Sequence, residues 1–380
     1  MRFINETTAS AGLLRTERPG DVMAAALVVR RRFVLSEGRL VERSEVRGGS
    51  IPLEPAPEPA ASASPAKELS EQPVSIGGLR KEVVDLGEWG ELEPDELTPR
   101  VGTDVLVIGH ALCPEPRIAS RVELRFGPYE LALDVFGDRV WEGPPGALMP
   151  SGPEPFERMP LSYARAFGGC AAGDYGPVPY HKNPLGRGYH LRSGEARGKP
   201  LPNVELAGAH VSSWDDKPDP VGFAPYPSVW GLRTERTVHV IEAEERVEVH
   251  PEGGMFDRAH PLLSGKLAQP GPFSLTGMTP TGALRFEVPP CPYAAEISLG
   301  ADVFLRELEL EELLVDLRPV DRGGEPVVEL SYRKMFRYPY LRQQRRELRL
   351  VPLGSRAKAT SVGGGGSNAG PVAPAASSGA

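Results

Sequence analysis

Glycine and proline together supply more than a fifth of this chain, 43 and 41 of its 380 residues. That load restricts the fold more than any other feature. Gly populates positive φ freely and weakens regular structure, while Pro fixes φ and lacks a backbone donor, so long helices are excluded. The surplus follows no collagen period and therefore means many turns between short extended segments. Its effect is strongest over 156–189, where FERMPLSYARAFGG, GDYG and PYHKNPLGRGY break strand alternation. Phe156, Tyr163, Phe167, Tyr175, Tyr180 and Tyr189 give this stretch an aromatic content that disordered segments lack. It reads as a long ordered loop, a class usually tied to function.

Strand patterning brackets the loop on both sides. Residues 22–35 (VMAAALVVRRRFVL) are apolar and then basic, as expected of a buried strand emerging to an edge, with 40–46 returning across a Glu37-Gly38 turn. The run 104–111 (DVLVIGHA) is almost continuously apolar, as in a strand covered on both faces. Val122, Leu124 and Phe126 alternate with polar residues, Gly127-Pro128 turns the chain, and Leu131, Leu133 and Val135 alternate again, which predicts a hairpin. Further short strands are expected at 238–240, 247–249, 273–275, 284–288, 303–310, 313–317 and 327–332, and around Leu348 and Leu350. Helix material is expected only in short pieces, such as 160–166.

The pattern predicts a mainly β chain: an antiparallel β-sandwich or barrel-like sheets with a long ordered Gly/Pro-rich central loop and little helix. Residues 1–53 are expected to supply N-terminal strands that pack on a main β domain at 74–353. Between them, 54–73 is Pro/Ala-rich and reads as a flexible linker, and 354–380 reads as a disordered Gly/Ala/Ser tail.

Charge and composition remove several function classes from the expectation. A net charge of −8 argues against broad binding to nucleic acid or to an anionic membrane. Arg342, Arg345, Arg346 and Arg349 form a local basic cluster that reads as a charge-guarded edge strand. The N-terminus lacks a signal peptide's basic and apolar regions, and the longest apolar run, 22–29, is far short of the roughly 20 residues that span a bilayer. A cytoplasmic protein is expected. Cys113, Cys170 and Cys291 are scattered, with no CxxC pair, so neither a zinc site nor a disulfide framework is indicated.

No complete catalytic set emerges. His181, His190, His210 and the Asp215-Asp216 pair lack metal-ligand spacing, and no cofactor motif is present. Ser162 with His181 has no G-x-S-x-G elbow behind it. Asp174, Glu195, Asp215, Asp216 and Asp219 could furnish paired carboxylates of the glycosidase kind, which makes a carbohydrate-active or other hydrolase the alternative function. No glycine run matches a phosphate loop or a dinucleotide fingerprint. His110 sits where the 104–111 strand ends, a position open to function or to a buried structural role. The better-supported feature is the central loop as a recognition surface. Tyr and Arg dominate binding hot spots, and Tyr163, Arg165, Tyr175, Tyr180, His181, Asn183, Arg187 and Tyr189 are the candidate partner-binding residues. Within that set, Arg165 and Asn183 are expected to brace the loop while the tyrosines and Arg187 meet the partner. The competing reading is that the aromatics simply pack the loop onto the sheet.

The runs VGTDVLVIGHALCP (101–114), LDVFGDRVW (133–141), PFERMPLSYARAFGG (155–169), NPLGRGY (183–189) and LPNVEL (201–206) resemble the bacterial family catalogued as domain of unknown function 2169. The resemblance spans about 2–351, apart from the low-complexity insert. It implies a non-enzymatic accessory protein of type VI secretion, an adaptor that helps load an effector onto a VgrG or PAAR spike protein. It carries no catalytic residues with it.

Overall fold

The computed structural model describes residues 1–15, 22–43, 79–98, 100–144, 146–241, 246–250, 254–339 and 346–354. The expected linker at 54–73, the tail from 355 onward, and Arg342 and Arg345 lie outside these residues.

Val22–Ser36 is the longest strand and lies inside a six-stranded sheet. On one side it pairs with Val327–Pro339, from Val34 opposite Val327 to Val22 opposite Pro339. On the other it pairs with Ser10–Arg15 and Arg39–Glu42. Beyond Val327–Pro339 come Glu309–Asp316 and then Asp104–Ile108, the last joined in parallel. Ala25 to Val29 are fully buried, so this segment is covered on both faces as its composition requires. The Glu37-Gly38 turn has φ of +49° and +76°, positive at both central positions as a type I′ hairpin demands.

A five-stranded sheet runs in the order Val204–Leu206, Tyr129–Phe136, Ala119–Phe126, Gly271–Thr276 and Ala283–Val288. Its centre is the expected hairpin, with Leu131 opposite Leu124 and Leu133 opposite Val122. A four-stranded sheet joins the two ends of the chain: Arg2–Asn5, Arg346–Pro352, Tyr293–Leu299 and Asp302–Glu307. Leu27, Val107, Leu124, Phe273, Ile297 and Leu350, drawn from all three sheets, belong to one continuous apolar core. The fold is mainly β, largely antiparallel, and among the described residues no sheet closes into a barrel.

Four local expectations are corrected. Arg346–Pro352, with its Arg346 and Arg349, is no edge strand but lies between Arg2–Asn5 and Tyr293–Leu299. Residues 160–166 form no α-helix; the strand Phe156–Pro160 is followed by one 3₁₀ turn, Tyr163–Arg165. Residues 303–310 are two strands, because Asp302–Glu307 ends in the four-stranded sheet and Glu309–Asp316 begins in the six-stranded one. The basic run after Val29 does not emerge at an edge. Arg30 is 4% exposed and its guanidinium meets Asp95 at 2.6 Å and Glu329 at 3.3 Å.

Arg30 belongs to a buried charge layer on this sheet. Arg80 and Arg258 reach Glu312 at 2.8 and 2.9 Å, Arg333 reaches Glu311 at 2.8 Å, and Arg100 lies 3.2 Å from Asp104. Arg80 and Asp95 flank the short pair of strands Val84–Asp85 and Glu91–Leu92, Arg100 precedes the strand Asp104–Ile108, and Arg258 comes from the turn before the 3₁₀ segment Pro261–Leu263. Charge pairing therefore ties two stretches with little regular structure onto the sheet. Burial raises the Glu312 carboxyl, but Arg80 and Arg258 outweigh it and hold it well below the usual carboxylate range. Removing one member leaves a buried charge uncompensated, typically at a cost of about 3–5 kcal/mol.

Candidate functional site

The sequence's central loop folds by closing on itself. Phe167–Gly168 pairs in parallel with Arg187–Gly188, and Cys170–Gly173 turns back on Gly176–Pro179. Asn183 is the pin. It is fully buried, and its side-chain amide donates to the carbonyls of Tyr163 and Phe167 at 2.8 and 2.9 Å. Its carbonyl accepts from the Gly169 N–H at 2.8 Å. The crossing is tight enough to dictate glycine. A Cβ on Gly168, whose φ is +146°, would fall 2.1 Å from the Asn183 carbonyl oxygen, and one on Gly186 2.4 Å from the Asn183 side-chain nitrogen.

A polar cluster closes the other end. Arg165 Nη1 meets Asp138 at 3.2 Å and the Asn203 side-chain oxygen at 3.3 Å, while Arg187 donates to the Ala164 carbonyl at 3.1 Å and to the same Asn203 oxygen at 3.1 Å. Burial and the neighbouring Arg165 lower the Arg187 pKa, with Asp138 opposing them.

The aromatics divide by place. Tyr163 is 4% exposed, edge-on to Tyr226 and Trp230 at 5.2 and 5.7 Å, and so offers no surface to a partner. Tyr180 is buried against Phe167 and Tyr189 in a small second core that includes Trp141 and Leu201. Tyr189 is half-buried, whereas Tyr175 at the hairpin tip is fully exposed. His181 is exposed, with Nε2 2.7 Å from Glu235. Thus Tyr163 and Asn183 are interior, Arg165 and Arg187 tie the loop internally while part-exposed, and Tyr175 and His181 face solvent.

The loop also forms a wall of something larger. The His181 carbonyl accepts from the Gly231 N–H at 2.9 Å, the Tyr226 hydroxyl donates to the Lys182 carbonyl at 2.7 Å, and Lys182 Nζ spans Asp219 and Glu235 at 2.9 and 3.0 Å. These contacts set the loop against the helix Gly231–Thr237. Between that helix, the segment 204–221 and the turn at 260–266 lies a groove of about 690 Å³. Phe167, Val204, Val221 and Leu232 supply buried apolar walls, with Leu262 exposed beside them; the exposed charges are Asp219, Glu235, Arg236 and Lys266. His260 also lines the groove, but Nε2 donates to the Pro220 carbonyl at 2.9 Å and Nδ1 accepts from the Leu262 N–H at 3.1 Å, so both ring nitrogens are occupied structurally.

Of the residues weighed for catalysis, Asp174 and Glu195 share Arg192, and Lys182 joins Asp219 to the Glu235 that holds His181, while the others go to separate partners. Asp174 pairs with Arg192, Asp215 accepts from the Ser213 hydroxyl, and Asp216 accepts from the N–H groups of Ser212 and Ser213 at 2.8 Å each. His210 meets Asp134 at 2.7 Å, and Ser162 is buried while His181 is exposed. His110 packs edge-on against Trp89 and lies 3.2 Å from both Asp321 and Arg158. The described residues contain no cluster of three or more His, Cys, Asp or Glu able to hold a metal. They contain no helix long and apolar enough to cross a membrane.

The groove residues Leu232, Arg236, Leu262 and Lys266 were not singled out by sequence. They come from separate short elements, and nothing in the local pattern around each marks it. No curated protein and no solved structure matches the chain. A family model does match, over residues 68–323, leaving the flanking strands of the six- and four-stranded sheets outside it. The chain belongs to that family, described as an uncharacterized protein conserved in bacteria, DUF2169.

Proposed function

We propose that this protein is a non-enzymatic adaptor of type VI secretion, which binds a secreted effector and presents it to a VgrG or PAAR spike protein. The secretion role is the one implied by the resemblance. The observation that carries the binding role is the groove of about 690 Å³, walled in part by the loop that carries the PLSYxRAFGG and NPxGRG motifs. Apolar walls surrounded by charges of both signs match the anatomy of a protein-recognition site. Burying one Leu- or Phe-sized partner side chain there would stabilise a complex by about 1.5–3 kcal/mol. Glu235 on the rim is already held by His181 and Lys182 behind it, so that side of the rim is preorganised.

Co-purification with an effector or spike protein encoded beside the gene tests this reading. Leu262→Asp and Arg236→Glu alter exposed groove residues and should leave folding intact while weakening capture at least tenfold. Undiminished capture by both variants would remove the groove as the contact site.

A further inference from the structure

The edge strand Asp302–Glu307 presents three consecutive large apolar residues to solvent. All six of its residues are exposed, including Val303 at 58%, Phe304 at 40% and Leu305 at 49%. Among the described residues it pairs only with Tyr293–Leu299 and ends the four-stranded sheet. It carries no Pro and no register shift, two of the devices that normally blunt a free edge.

The hairpin geometry says which backbone groups are free. Leu299 is opposite Asp302 across the two-residue turn Gly300-Ala301, with Gly300 at φ +65°. The residues flanking such a turn exchange backbone hydrogen bonds, and the pattern then alternates. The N–H and C=O of Asp302, Phe304 and Arg306 therefore point to Tyr293–Leu299, and those of Val303 and Leu305 point outward. Arg306 Nη1 donates to the Leu305 carbonyl at 3.0 Å, which fits an outward-facing acceptor.

From this edge we infer that two copies of the chain associate through Asp302–Glu307, antiparallel about a two-fold axis at Phe304, to make one continuous eight-stranded sheet. The outward-facing groups of Val303 and Leu305 then bond those of Leu305 and Val303 in the second copy, as the Arg306 guanidinium leaves the Leu305 carbonyl for Asp302 of that copy. The side chains match on both faces. On one, Asp302 lies opposite Arg306, Phe304 opposite Phe304, and Arg306 opposite Asp302. On the other, Val303 and Leu305 cover each other. Registers shifted by two residues in either direction retain the backbone bonding and lose the charge match. The inference does not rest on the groove and survives the loss of that reading.

Sedimentation velocity of the full chain over a wide concentration range is the test. The wild type should show a reversible monomer–dimer equilibrium. Asp302→Arg turns two attractive pairs into two repulsive ones and should raise the dissociation constant about tenfold. Asp302→Arg/Arg306→Asp should restore it. In a Cys170→Ser background, Phe304→Cys sets two thiols opposite each other in a non-hydrogen-bonded pair, about 4.5 Å apart at Cα, and should give a covalent dimer on mild oxidation. Val303→Cys should not. A wild type that stays monomeric throughout, as it would if this edge took only an extended segment of another protein, overturns the inference. So does a dimer indifferent to the charge reversal.

Discussion

As pH falls below about 6.5, stability should be withdrawn through one buried histidine. His260 is 3% exposed and held neutral by two hydrogen bonds, one given and one received. Burial lowers its pKa from 6.5 to about 4; the Pro220 carbonyl and Asp219 work the other way, and Arg233 and Arg236 add to the lowering. The unfolded chain thus takes up a proton between these values that the folded chain refuses. The contribution is intact above 6.5 and is lost progressively as pH falls towards about 4. From pH 7 to pH 5 the loss from His260 alone is about 2 kcal/mol. Urea unfolding at the two pH values, followed by tryptophan fluorescence, measures it. His260→Gln keeps a donor for the Pro220 carbonyl and does not titrate, so its stability should fall less over the same interval by about that amount. His110 and His190, whose pKa values burial also lowers, contribute equally to both proteins and cancel. Equal losses in wild type and variant would refute the argument.

Two other perturbations probe the scaffold. Asn183→Ala strips the carbonyls of Tyr163 and Phe167 of a buried donor and should cost about 2–4 kcal/mol in denaturant unfolding, a larger effect than any conservative change at Tyr175. Glu312→Gln keeps shape but leaves Arg80 and Arg258 short of a buried negative charge; a loss of about 3–5 kcal/mol is expected, little altered by added salt because the pairs are buried.

Sequence pattern revealed the strands whose two faces meet different surroundings. The hairpin of Val122 to Val135 alternates because one side is core, and Val105 to Ile108 are all apolar because both sides are. Pairing between distant segments left no such trace: Asp104–Ile108 lies parallel to Glu309–Asp316, some two hundred residues later. The buried charge layer was hidden for a related reason. Arg30 is indistinguishable by type from its more exposed neighbour Arg31, and its partner Asp95 lies on a segment with no periodicity to mark it as covering a sheet. Composition likewise could not separate Tyr163 from Tyr175, twelve residues apart, one interior and one wholly in solvent. The loop's density of Gly and aromatics was readable as order; which side chains faced outward depended on the helix Gly231–Thr237 and the turn at 260–266 packing beside it.

The account's central claim is that the signature loop builds a groove for a protein partner. Hydrogen–deuterium exchange of the full chain, with and without the effector or spike protein encoded beside it, tests that claim most directly. Slowed exchange should concentrate in 204–209, 218–221, 231–237 and 260–266, the segments that line the groove. A bound partner that leaves all four unchanged and protects some other surface would contradict it.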